Sequence, residues 1–199
     1  ISVASSLLEI TYPQSPSHIM MFIGGPCTSG PGLIVETDLS ETIRAHIDIE
    51  REKAPHLKDA QKFYESVADR CRKNRQTVDL FASCLDQVGL LEMRSCIETT
   101  GGLCVLGDSF GQSVFQQSLA HVFEVYPDDY RESDAGYLMM GFGASIEVQT
   151  TKEFKVSGCI GPCISQKKSG PSVGELEIGE CGTTSWYLGL LDPTTTLAF

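Results

Sequence analysis

Two periodicities of hydrophobic and polar residues divide this chain. Near its start, Val3, Leu7 and Ile10 recur at helical spacing, and Leu8 lies beside them. Tyr12-Pro13-Gln14-Ser15-Pro16 ends that helix, because proline cannot continue a helix interior. The uncharged run Ile19 to Gly24 then meets a cluster of Gly, Pro, Ser and Thr extending to Gly32, which predicts a strand buried on both faces. Residues 33–52 predict an irregular excursion with a short helix. Leu57, Ala60, Tyr64, Val67 and Cys71 form one stripe of an amphipathic helix expected over 54–74, with Lys58, Asp59, Lys62, Glu65, Asp69 and Arg72 facing water. Pro55 fits only the first turn, which sets the expected start near Ala54.

Thr77 to Leu85 predicts a second strand ending at Asp86, and Leu90, Leu91 and Met93 predict a short helix. Thr99-Thr100-Gly101-Gly102 is a turn before a third strand, Leu103 to Leu106, and Phe115, Leu119, Val122 and Phe123 mark a helix over 112–123. Strand alternating with helix predicts an α/β layer on a parallel sheet. The period then changes. Phe142, Ala144, Ile146 and Val148 alternate with Gly143, Ser145, Glu147 and Gln149, as in a half-buried strand. Phe154 to Ile160 is expected to be its antiparallel partner, Trp186, Leu188 and Leu190 alternate again, and Asp192-Pro193 turns into a last strand. The domains expected are 1–124 as α/β, an acidic connector over 125–136, and an incomplete antiparallel β-sandwich over 137–199.

Composition narrows what this architecture does. With 15 Lys and Arg against 26 Asp and Glu, the formal charge is -11, which repels nucleic acid phosphates and anionic lipid head groups. No segment approaches the roughly 20 apolar residues of a membrane span. The chain begins at Ile1 without methionine and stops in the apolar run Thr196-Leu197-Ala198-Phe199, so it reads as a piece of something longer. Its eight cysteines are scattered along strand and helix patterns and read as small buried hydrophobes of a reducing compartment.

Several motifs invite chemistry. The Gly/Pro loop lacks the Lys-Ser/Thr that follows a phosphate-binding glycine run, because Leu33-Ile34 follow Gly32. Gly107-Asp108-Ser109-Phe110-Gly111 matches the nucleophile elbow of serine hydrolases and lies between a strand and a helix, as that motif requires. The only later histidine is His121, on the very next helix, so Asp108 or Ser109 reads as that helix's cap, with a Ser109 hydrolase as the alternative function. Cys159, Cys163 and Cys181 are three potential zinc ligands without a fourth. Asp86 and Asp108 both end strands, where oxygen ligands could hold magnesium, although loop-capping aspartates are the simpler reading. His18, His46 and His56 fall in loops or at helix edges without a partner at ligand spacing. No catalytic, cofactor-binding or metal residue is assigned.

Longer words carry a resemblance. Ile19-Met20-Met21-Phe22-Ile23-Gly24-Gly25-Pro26 with Gly30-Pro31-Gly32, Ala82-Ser83-Cys84-Leu85-Asp86-Gln87-Val88-Gly89-Leu90-Leu91-Glu92-Met93, and Gly107-Asp108-Ser109-Phe110 occur in order. Ser157-Gly158-Cys159-Ile160-Gly161-Pro162-Cys163, Glu177-Ile178-Gly179 and Gly189-Leu190-Leu191-Asp192-Pro193-Thr194-Thr195-Thr196 continue the series. Together they resemble the GTPase-activating subunit of the COPII inner coat, which buds vesicles from the endoplasmic reticulum. The resemblance implies the second half of a von Willebrand factor A-like (Rossmann-like) α/β trunk domain, followed by the start of a β-sandwich. It implies a cytoplasmic scaffold, peripheral on endoplasmic reticulum exit sites. It also implies docking to a cargo-binding paralogous subunit and a Sar-type small GTPase, with outer coat subunits met through other parts of the parent chain. The family's activating arginine and its zinc finger lie outside this segment, so the resemblance assigns it binding surface and no cofactor. Pro55, near the start of the family's long helix, and the acidic stretch Tyr126 to Asp134 depart from the family pattern.

Overall fold

The computed structural model describes residues 1–38, 42–127 and 136–199. Its first part alternates helix and strand: α1 (Ser2–Thr11), β1 (Ser17–Ile23), α2 (His46–Glu50), α3 (Leu57–Lys73), β2 (Gln76–Ser83), α4 (Leu90–Glu98), β3 (Cys104–Gly107) and α5 (Ser113–Val122). The strands form one parallel sheet in the order β1-β2-β3, with Ile19 opposite Val78 and Phe81 opposite Val105. The strand buried on both faces is therefore β2 and not β1. Gln76 to Ala82 are all buried, whereas β1 lies at a sheet edge with Phe22 half exposed. An apolar run reports hydrophobicity, but position within the sheet decides how much of it is covered.

Period-two alternation sends each strand's side chains to opposite layers. Val78, Leu80 and Ala82 pack with Ile19 against Ala60, Tyr64, Val67 and Cys71 of α3 and Met93, Cys96 and Ile97 of α4. Phe81 and Val105 turn the other way, onto Phe115 and Val122 of α5. The fully buried Val78, Leu80 and Phe81 each contribute about 1.5–3 kcal/mol through this burial. The stripe expected on α3 is the face that packs, but the helix begins at Leu57. Pro55 precedes it and interrupts nothing, because its missing N–H and fixed φ fit the extended approach to a helix better than its interior.

The second part contains β4 (Gly141–Glu147), β5 (Val156–Cys159), β6 (Ile164–Ser165), β7 (Val173–Gly179) and β8 (Ser185–Leu191). One sheet has the order β4-β8-β6 with antiparallel pairing, and β5 lies beside β7 in a separate two-stranded sheet. The partner of β4 is thus β8 and not Phe154 to Ile160. Strand β7 carries the alternation Glu175-Leu176-Glu177-Ile178, yet its residues are mostly exposed. After Asp192 the chain makes only an isolated bridge, Ile160 with Ala198. Trp186, fully buried, centres the apolar core with Val156, Cys159, Cys163 and Leu188, and its indole N–H donates to the Glu180 carbonyl at 2.8 Å. Most of the acidic connector, residues 128–135, lies outside the described residues.

The two parts meet at the Thr99–Gly102 turn. Gly189 of β8 lies so close there that a Cβ would overlap the Thr100 carbonyl. The Tyr187 hydroxyl donates to the Arg72 carbonyl at 3.3 Å, and Phe142 of β4 meets the His18 ring edge-on at 5.2 Å. Beyond β8, the Asp192 Oδ1 accepts from the Thr194 N–H at 3.0 Å and from the Thr194 and Thr195 hydroxyls at 2.8 Å each. Burial works to raise the Asp192 carboxyl, but the hydrogen bonds from Thr195 and Thr194 outweigh it and hold it below the usual carboxylate range. A carboxyl depressed in the folded state contributes stability above its unfolded value, about 3.9, and loses it as pH falls through the folded value. Asp192→Asn is therefore expected to cost about 1 kcal/mol at neutral pH. That deficit should shrink below about pH 4 when both proteins are unfolded in urea across a pH series.

Candidate functional site

The carboxyl ends of β2 and β3 open into a cleft of about 520 Å³, whose lining includes Arg44, Asp86, Gly89, Leu106 and Asp108. The Gly/Pro loop after β1 is fastened next to it. The Ile34 N–H donates to the Cys27 carbonyl at 2.9 Å, and the Tyr64 hydroxyl donates to the Gly32 carbonyl at 3.1 Å. Gly32 permits that approach, since a Cβ would sit 2.8 Å from Tyr64 Oη. Burial, reinforced by the Cys27 thiol, pushes the Tyr64 hydroxyl far above its ordinary titration range, so it stays a neutral donor. Gly89, which caps α4 with φ of 81°, leaves room for Ile34 that no other residue would leave.

Arg44 closes the arrangement. Its Nη2 lies 2.6 Å from Glu92 Oε2 in the first turn of α4, and its Nη1 donates to Gln87 Oε1 at 2.8 Å. Only 8% of the Arg44 side chain and 1% of that of Glu92 remain accessible. A second buried pair lies in the sheet. Asp79, with no accessible surface, accepts the Leu103 N–H at 2.9 Å and approaches His18 Nδ1 at 3.0 Å, linking β1 and β2 to the residue that leads into β3.

Ser109 and His121 do not meet. The Ser109 hydroxyl accepts the Gly111 N–H at 3.1 Å in the turn before α5, whose N-cap is Gln112. Neither Asp108 nor Ser109 thus caps the helix itself. His121 lies near the opposite end of α5, about 12 Å along a ten-residue helix, and pairs with Glu124 at 3.0 Å. Asp86 and Asp108 are brought to one cleft, and neither has a hydrogen-bond or ion-pair partner among the described residues. No group of three or more His, Cys, Asp or Glu among the described residues is placed to hold a metal ion. His18 is a strand residue, not a loop residue, and it has the Asp79 carboxylate beside it. His46 opens α2 3.3 Å from Glu50, and His56 is the N-cap of α3.

All eight cysteines are free. Cys71, Cys96, Cys159 and Cys163 are buried, and Cys104 is exposed, because β3 is the other sheet edge. Burial pushes Cys96 up to about 12 and, with a hydrogen bond from its thiol to Cys159, Cys163 up to about 12. Native alkylation with iodoacetamide is expected to modify Cys104 and to spare Cys71, Cys96, Cys159 and Cys163 until urea is added, as read by peptide mass spectrometry. Labelling of Cys96 before Cys104 would contradict the packing.

Sequence reasoning missed both the buried Arg44–Glu92 ion pair and the buried contact of His18 with Asp79. Asp79 was detectable as the one acidic residue inside an apolar strand, whereas Arg44 lies in an irregular segment whose pattern says nothing about burial. The family model described as the Sec23/Sec24 trunk domain matches residues 1–123, the span that runs from α1 through α5.

Proposed function

This chain belongs to the Sec23/Sec24 family, whose trunk domain is a von Willebrand factor A-like scaffold of the COPII coat, and from that we propose that it is part of the GTPase-activating coat subunit. The observation that carries the reading is the trunk-domain match over 1–123, joined to the ordered motifs that continue past it to Thr196. On this reading the segment supplies protein-binding surface. It docks against the cargo-binding paralogous subunit and helps seat a Sar-type small GTPase, while the arginine that stabilises transition-state charge on the γ-phosphate comes from another part of the parent chain. The zinc of the family and its contacts with outer coat subunits belong to other parts of the parent as well. The parent is cytoplasmic and peripheral on endoplasmic reticulum exit sites. Among the described residues, no helix is long and apolar enough to cross a membrane.

The reading is tested with the full-length parent. Co-elution with the cargo-binding paralog in size-exclusion chromatography, together with faster GTP hydrolysis by the Sar-type GTPase, is the expected result. Co-elution without acceleration would keep the scaffold role and overturn the assignment to the activating subunit.

A further inference from the structure

A trough runs along the open edge of β3. The cleft at the carboxyl ends of the strands, about 520 Å³, shares Leu90 and Leu91 with a second cleft of about 410 Å³. The second shares Arg94, Ile97, Glu98 and Cys104 with a third of about 480 Å³, which ends against the Gly161–Ile164 turn of the β-rich part. Helix α4 forms one wall of this trough and the edge of β3 the other.

The phase of β3 shows what that edge offers. The Leu103 carbonyl accepts the Leu80 N–H at 2.8 Å, and the Gly107 carbonyl accepts the Cys84 N–H at 3.1 Å. Backbone groups alternate in direction along a parallel strand, so Leu103, Val105 and Gly107 face β2. Cys104 and Leu106 therefore turn their N–H and C=O away from the sheet. Their side chains line the trough on the α4 side, and Leu106 is 54% accessible. Proteins guard open edges with shortness, Lys, Pro, bulges or a cover, and β3, at four residues, has only the first of these. Cys104-Val105-Leu106-Gly107 carries no Lys or Pro, and its pairing with β2 shows no register shift.

Charge selects the occupant. Arg44 is neutralised by Glu92, Arg94 by Glu98 at 2.6 Å, and His46 lies beside Glu50. Asp86 and Asp108, at the carboxyl end of the trough, have no such partner among the described residues. The geometry points to a peptide-docking edge. An extended segment of a protein partner pairs with Cys104 and Leu106 as a fourth strand, lays apolar side chains at alternate positions over α4, and sets a Lys or Arg against Asp86 and Asp108. This inference does not depend on which coat subunit the chain comes from.

The test uses the full-length chain and short fluorescein-labelled peptides of alternating Val and Thr. One peptide ends in Arg-Lys, one begins with Arg-Lys, and one ends in Glu-Glu. Fluorescence anisotropy is expected to show micromolar binding of one of the two basic peptides, whose identity sets the strand direction, with binding of the acidic peptide about fivefold weaker or less. Hydrogen exchange should slow at the Cys104 and Leu106 amides and leave Val105 and Gly107 unchanged. The double variant Asp86→Asn/Asp108→Asn should bring basic and acidic peptides within about twofold. Leu106→Pro removes an outward donor while sparing the β2 ladder and should weaken binding by about tenfold. Should proline at 106 unfold the chain, Leu106→Lys tests the same edge. No binding at millimolar peptide, or binding that leaves the Cys104 and Leu106 amides exchanging freely, would overturn the proposal. So would undiminished preference for the basic peptide in the double variant.

Discussion

Replacing Arg44 by methionine is expected to lower the free energy of unfolding by about 3–5 kcal/mol, because Glu92 would be left buried without its partner. The guanidinium is the only cation paired with Glu92 among the described salt bridges, and both side chains are almost fully enclosed. Removing one member forces the protein to desolvate a lone carboxylate or to open the contact between the segment carrying Arg44 and α4. The double variant Arg44→Met/Glu92→Leu removes both charges, and such exchanges are often near neutral or stabilising. It should therefore recover most of the loss. Urea unfolding of the two single variants and the double variant closes the cycle. A double variant as unstable as Arg44→Met would show that packing of the Arg44 stem, rather than the ion pair, holds this segment.

The second large effect is expected at Asp79. Asp79→Ala should cost about 1–3 kcal/mol, since it strands the Leu103 N–H and takes the buried carboxylate away from His18. Asp79→Asn keeps an acceptor for Leu103 and should cost clearly less. The loss has a location as well as a size. His18 packs its ring on Phe142, so in Asp79→Ala hydrogen exchange should rise in β3 at Val105 and also in β4 around Phe142. A rise confined to β3 would show that His18 is held by packing alone.

The two buried polar pairs explain much of what the residue pattern leaves open. Apolar periodicity reports which face of an element is buried, and on that basis α3, β2, β4 and β8 are legible. Ala60, Tyr64, Val67 and Cys71 pack as their spacing requires, and Trp186 and Leu188 lie in the β-rich core. Periodicity carries no information about pairing. β4 and β5 are neighbours in sequence with turn residues between them, yet β4 pairs with β8, about forty residues away, because Trp186 and Leu188 need the cover that Ala144, Ile146 and Val148 provide. The place of β1 is equally invisible, since an edge strand and a central strand can share one apolar sequence.

The candidate sites divide along the same line. Asp86 and Asp108 were legible singly, as acids that end apolar strands, but only adjacent parallel strands bring them to one cleft. Ser109 and His121 show the converse, because a helix begins between them and its rise carries the histidine away. Local spacing by itself determined the helices, most of the strands, the change from α/β to β-rich chain and the motif series that marks the family. Long-range contact alone decided the strand order, the burial of Arg44, Glu92, His18 and Asp79, and the open edge of β3. The physical reason is that helices and single strands are specified by residues a few positions apart, whereas sheet order and charge burial depend on groups that meet only after the chain has folded.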